Sequence, residues 1–155
     1  MVDVDKQSLS LKKEEHILST WPVSTARNGC GNTEGSLKTP TGAHRIAEKI
    51  GANSEINTIF KGRVDTCCQS TVISEPQSLE EDLITSRILW LEGIEADKNL
   101  GEGISSYDRY IYIHGTPEEG LIGTPVSHGC IRMCNQDVID LFNQVDVGTL
   151  VLIQE

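Results

Sequence analysis

The sequence predicts a mainly β domain with one main α-helix near its C-terminus, and three observations carry that reading. Apolar residues come in short segments that mostly alternate with polar ones, as strands buried on one face require. Only one stretch repeats apolar residues at helical spacing: Val138, Leu141, Phe142 and Val145 fall at i, i+3, i+4 and i+7. Between the segments lie clusters of Gly, Asn, Thr and Pro, which break a chain into turns. At 155 residues the chain suits a single domain over 1–155, since dividing it would leave two pieces with marginal cores.

Residues 2–11 alternate around Val2, Val4, Leu9 and Leu11, and 16–23 form a second short apolar stretch after Lys12-Lys13-Glu14-Glu15, so the pair predicts a β-hairpin. The Gly-, Asn-, Thr- and Pro-rich stretch 28–42 predicts an irregular surface loop ending at Thr39-Pro40-Thr41-Gly42. Strands are expected over 43–50 and 56–64. After the acidic, Pro-containing stretch 74–82, the apolar run 83–91 with Ile84, Ile88, Leu89 and Trp90 predicts a buried strand. The Gly-containing stretch 92–106 predicts a loop, and the β-branched and aromatic run 107–114 another strand. Period two then puts Tyr110, Tyr112 and His114 on one face, with the His114 imidazole at an open edge because Gly115-Thr116-Pro117 ends the strand. In the helix, Asn135 is the expected N-cap, Asp137 suits the first turn and Gly148 marks the stop. A closing strand follows over 149–153.

A formal net charge of −10 excludes a phosphate-reading surface, because nucleic-acid affinity comes largely from Lys and Arg. No apolar run approaches the roughly 20 residues of a bilayer span, so no membrane insertion is expected. The N-terminal residues carry no basic region and apolar core of a secretory signal, which leaves a cytoplasmic chain or one lacking its leader as the expectation. Five cysteines do not define a disulfide framework. A bridge from Cys30 to Cys67 or Cys68 is one reading, and buried free thiols are the favoured one.

The chemistry concentrates between His114 and Cys134. A cysteine nucleophile needs a base or a positive environment close by, and Cys130 has His128 two residues before it and His114 farther upstream. A strand, a loop and a return segment can close the latter separation. Gly129 lets the backbone approach a substrate closely, and its N–H and that of Cys130 could face a developing oxyanion. Taken singly, a cysteine is more often an inert small hydrophobe and a histidine a hydrogen-bonded surface residue. Zinc is a further alternative for His114, His128, Cys130 and Cys134, but their spacing matches neither paired C-x-x-C nor H-x-x-x-H.

The segment Tyr110-Ile111-Tyr112-Ile113-His114-Gly115-Thr116, followed by Ile122-Gly123-Thr124-Pro125 and Ser127-His128-Gly129-Cys130-Ile131-Arg132-Met133, closely resembles YkuD-type L,D-transpeptidase catalytic domains. Thr39-Pro40-Thr41-Gly42 and the run from Ile84 to Leu91 also look like family segments, while His44 stands where the family often has a bulky apolar residue. The resemblance implies a β-sandwich, no cofactor, and a peptidoglycan enzyme of the cell envelope or periplasm. In it Cys130 would attack the third-residue carbonyl of a stem peptide and expel D-alanine, and His114, oriented by the Gly115 backbone, would take the thiol proton. The backbone of His128, Gly129 and Cys130 would form the oxyanion hole, Ser127 would shape the loop and Arg132 would read a stem carboxylate. Tyr112 and Tyr110 belong either to the pocket or to the core, where strand aromatics are commoner. The resemblance also implies carbapenem-type inhibitors. The thioester can pass to an amine, making a transpeptidase, or to water, making an L,D-carboxypeptidase; a non-catalytic peptidoglycan-binding module is the third alternative.

Overall fold

In the computed structural model, which describes residues 1–155, ten strands and one α-helix follow in the order β1 (Val2–Asp3), β2 (Ser8–Lys13), β3 (His16–Pro22), β4 (Gly42–Ile50), β5 (Thr58–Lys61), β6 (Val64–Gln69), β7 (Ile84–Gly93), β8 (Tyr112–Gly115), β9 (Ile131–Met133), α1 (Asn135–Gln144) and β10 (Leu150–Gln154). A 3₁₀ turn at Glu119–Leu121 lies between β8 and β9. The main hydrogen-bonded path runs β3-β2-β1-β10-β4-β7-β5-β6, and β8 and β9 branch from β7. At Ile88, Leu89 and Trp90 strand β7 pairs with both β4 and β8, which therefore occupy its two edges. Just past β3, Ser24 and Arg132 exchange two backbone hydrogen bonds of 2.9 Å. This bridge joins the exit of β3 to β9, so the strands run round a closed circuit and fold over one interior.

That interior explains why the apolar half of each alternation is where it is. Val2, Leu9 and Trp21 from β1–β3 meet Ile46, Leu89, Leu91, Ile113 and Ile131 from β4, β7, β8 and β9, and α1 closes the space with Val138, Leu141 and Phe142. Each such side chain contributes about 1.5–3 kcal/mol by leaving water. The helix ends against β4: Lys49 Nζ donates to the carbonyls of Phe142 (2.7 Å) and Val145 (2.5 Å), satisfying groups the last turn leaves open. A second, smaller cluster of Phe60, Ile88, Trp90 and Tyr112 lies apart from that core, and Cys130 packs against it.

The β-rich architecture, the single helix, the loop after residue 28 and the strands near 43–50, 83–91 and 149–153 follow the expectations above. Elsewhere local turn chemistry overrides the apolar pattern. Residues 2–11 are two strands, because the Asp3 carboxylate accepts the Lys6 N–H at 2.9 Å and Gln7 adopts φ +47°. Residues 56–64 likewise hold two strands, with Gly62 (φ +55°) and Arg63 (φ +68°) making the tight turn. The run 107–114 becomes strand only at Tyr112: residues 107–110 form a turn in which Tyr110 has φ +56° and its N–H bonds to the Tyr107 carbonyl at 3.0 Å. Tyr110 therefore leaves the face that Tyr112 and His114 share. Cys134, not Asn135, holds the N-cap position of α1. The five cysteines are unpaired, but Cys67 and Cys68 lie exposed on β6 rather than buried.

Candidate active site

Strands β8 and β9 run parallel, with Ile113 beside Ile131, His114 beside Arg132 and Gly115 beside Met133. Paired residues of parallel strands point to the same side, so Ile113 and Ile131 enter the core while His114 and Arg132 face the other way. Carrying the register back one residue sets Cys130 beside Tyr112, on the face of His114. The sulfur and the imidazole are thus diagonal neighbours on adjacent strands. No hydrogen bond joins them in this arrangement: the Tyr112 N–H donates to Sγ at 3.4 Å, and the S–H is directed at the Tyr110 carbonyl at 3.5 Å.

His114 is not at an open edge. It is 1% exposed, packed between β7 and β9, and its Nδ1–H donates to the Gly115 carbonyl at 2.7 Å. A carbonyl only accepts, so Nδ1 carries the proton and Nε2 keeps its lone pair. Gly115 must be glycine, since a Cβ there would lie 2.6 Å from the Thr85 carbonyl oxygen and 2.8 Å from Asn135 Oδ1. The loop before β9 is built on Ser127, whose hydroxyl donates to the Cys130 carbonyl at 2.6 Å and accepts the Gly129 N–H at 3.2 Å. Gly129 has φ +134°, and Thr39 from the 28–42 loop donates to its carbonyl at 3.0 Å. Between Ser127 and β9, with the Gly129 N–H engaged, the N–H groups of His128 and Cys130 meet no protein acceptor.

Two expected substrate contacts are placed differently. Arg132 is 3% exposed, its Nη1 bonded to Glu118 at 2.5 Å and its Nη2 paired with Asp82 at 2.7 Å. Internal carboxylates already occupy its fork, so it is a buried ion-pair residue rather than a reader of incoming carboxylates. Tyr112 is 5% exposed, with its ring edge on Trp90 and its hydroxyl accepting from Arg63 at 3.2 Å. It packs beside the sulfur within the smaller apolar cluster instead of lining an open pocket.

Residues 1–153 match the family model described as the L,D-transpeptidase catalytic domain. The chain belongs to that family.

Its relatives agree with this. A Bacillus subtilis protein named as a putative L,D-transpeptidase, YqjB, is 42% identical over 71 residues, 42% of this chain and 40% of that one. The Escherichia coli probable L,D-transpeptidase YbiS is 51% identical over 43 residues, 28% of this chain and 14% of that one. An L,D-transpeptidase from Mycobacterium smegmatis shares the fold at a TM-score of 0.60 and 20% identity, over 99% of this chain and 57% of that chain. LdtMt1, solved in complex with imipenem, shares it at 0.57 and 17%, over 99% of this chain and 56% of that chain. These spans show that the chain covers less than two thirds of the length of the proteins it matches.

Within this L,D-transpeptidase domain, charge around the thiol comes in part from residues the motif does not contain. Asp82, from the loop before β7, accepts from His128 Nδ1 at 3.1 Å as well as pairing with Arg132. Burial pushes its carboxyl up, but the charges of His114 and Arg132 and the hydrogen bonds from Arg132 and His128 outweigh this and hold it below the usual carboxylate range. Asp82 was legible only as one acid in an acidic stretch; nothing local marks it, because the fold alone brings it to His128. Burial pushes the Cys130 thiol up to about 12, against the Tyr112 N–H and the charges of Arg132 and Arg109. Burial also lowers His114, against the pull of Asp82 and the Gly115 carbonyl, so the imidazole is neutral at pH 7 and can accept a proton. No three His, Cys, Asp or Glu side chains converge as metal ligands. No helix is long and apolar enough to cross a membrane.

Proposed function

We propose that this domain is a peptidoglycan L,D-transpeptidase of the cell envelope that works through a Cys130 thioester. The observation that carries the reading is the shared face of β8 and β9: a half-buried thiol diagonal to an imidazole whose Nδ1 is fixed on Gly115 and whose Nε2 is free. As the third-residue carbonyl of a stem tetrapeptide approaches, the Cys130 side chain turns from the Tyr110 carbonyl toward His114. Nε2 takes the thiol proton as sulfur bonds to carbon, and the oxyanion meets the unengaged N–H groups of His128 and Cys130. Collapse breaks the bond to D-alanine, whose nitrogen receives the proton from His114. The amine of a neighbouring stem then attacks the thioester and forms the cross-link.

A thiol with so high a pKa argues for this coupled order, in which the proton leaves only when the carbonyl is present. Solved relatives in complex with imipenem, with a faropenem-derived adduct and as an avibactam carbamoyl enzyme support β-lactams and related acylating compounds as inhibitors of this chain. The test is incubation with disaccharide-tetrapeptide followed by mass spectrometry. Cross-linked dimers with stoichiometric D-alanine release are expected, and Cys130→Ala should abolish both while keeping the native thermal transition. Release of D-alanine without dimers would make the chain an L,D-carboxypeptidase, and an unchanged rate in Cys130→Ala would overturn the assignment altogether.

A further inference from the structure

Two hollows open on either side of His128. One, of about 210 Å³, is lined by Arg27, Asp82, Glu118 and Arg132 among others, and the Arg132 charge there is already met by two carboxylates. The other, of about 260 Å³, is lined by Glu34, Leu37, Asp108, Arg109, Tyr110 and His128 together with the backbone beside them. Cys130 is not part of its wall, but the carbonyl of its lining residue Tyr110 is the group the Cys130 S–H points at.

Arg109 is the unusual member. It is half-buried, donates from Nη1 to the Gly31 carbonyl at 3.2 Å and from Nη2 to the Lys38 carbonyl at 2.6 Å, and pairs with no carboxylate. Two of its five N–H donors are thus used and the rest are available. In a chain of net charge −10, a half-buried arginine with only carbonyl partners and no carboxylate within ion-pair distance is unusual. Glu34 and Asp108, both exposed, place negative charge on the same hollow outside ion-pair distance of it. A cation and two anions around a space smaller than the roughly 300–1,000 Å³ of a drug-sized site suit a small zwitterion rather than a whole stem.

We infer that this hollow is the leaving-group and acceptor subsite of the reaction, and that Arg109 sets its specificity by reading the carboxylate of an α-amino acid whose amine is turned toward Cys130. This rests on the acyl-transfer reading above and deepens it. D-alanine leaves from one side of the acyl carbon, and by microscopic reversibility the acceptor amine enters from that side. In transfer, the acceptor nitrogen bonds to the acyl carbon, the carbon–sulfur bond breaks, and the proton shed by nitrogen returns to sulfur through His114. An acceptor carrying a free carboxylate next to its amine therefore repeats the head group of the D-alanine it replaces.

Equilibrium binding tests this without turnover. Cys130→Ala protein is titrated with D-alanine and with D-alaninamide while the Arg109 Nε–H resonance is followed by NMR. D-alanine is expected to bind at least about tenfold more tightly than the amide, since a charged fork-to-carboxylate contact is lost in the amide. Adding Arg109→Gln should erase that difference, and Arg109→Lys, which keeps the charge and loses the fork, should restore part of it. Equal binding of the two probes to the parent, or a difference that survives in Arg109→Gln, overturns the assignment; so does an Arg109 resonance unmoved by D-alanine. Should Arg109→Gln lose its native amide dispersion, the Arg109→Lys titration decides the question. A chain that binds D-alanine through Arg109 yet releases none from the tetrapeptide would refute the acyl-transfer reading and leave the subsite standing.

Discussion

A thiol with a pKa near 12 is almost wholly protonated at pH 7, so Cys130 at rest is a poor nucleophile despite its half-open position. Peptide-mapped alkylation with iodoacetamide at pH 7 should therefore label the exposed Cys67 and Cys68 first, with Cys130 labelling accelerating up to pH 10. Rapid labelling of Cys130 at pH 7 would mean a thiolate already formed at rest. At Arg132 the concern is buried charge. Glu118→Gln removes one partner of an arginine 3% exposed and should cost about 3 kcal/mol or more, read as a lowered urea midpoint, because the remaining charge is left under-compensated. The contrast between Arg132 and Arg109 marks the limit of motif reading. Both are arginines near the thiol in sequence or space, and only the fold shows that Asp82 and Glu118 have claimed the first and left the second open.

At the scale of elements, α1 was legible and its first residue was not. Val138, Leu141 and Phe142 at helical spacing identify the buried face, whereas Asn135 has the composition of a cap and a different task. Its Nδ2 donates to the Thr116 carbonyl and to Glu119, both at 2.8 Å, and its Oδ1 accepts from Thr85 and Ser86, both at 2.6 Å. One side chain thus ties the start of the helix to β7 and to the turn after His114. Asn135→Ala leaves several of these buried groups unpaired and should destabilise by about 2–4 kcal/mol in denaturant titration, more than the ~1 kcal/mol of an ordinary capping residue. A loss of 1 kcal/mol or less would return Asn135 to the capping role. Strand β6 escaped notice for a simpler reason: Val64 to Gln69 is largely exposed, so no alternation marks it, and only the Gly62-Arg63 turn betrays the hairpin.

For the molecule as a whole, the family and the β-rich class were readable because the motif and the strand periodicity are local patterns. The closed circuit of strands was not, since it depends on Ser24 meeting Arg132 far along the chain. Global stability carries a pH signature from another distant contact. His44 is fully buried between the Gly42 carbonyl (3.0 Å) and the Ser106 hydroxyl (2.9 Å), and burial lowers its pKa from 6.5 to about 4. The unfolded chain takes up that proton first, so stability is complete above pH 6.5 and falls as pH drops toward 4, by on the order of 3 kcal/mol from this residue. Urea midpoints measured between pH 7 and pH 4 should show the loss, and His44→Gln should flatten it. Acylation of the Cys130 sulfur can be read by intact-mass spectrometry after incubation with a carbapenem. A single adduct of the full inhibitor mass, mapped to Cys130 and missing from Cys130→Ala, is expected; an unshifted mass, or an adduct that persists in the variant, would contradict a Cys130 nucleophile.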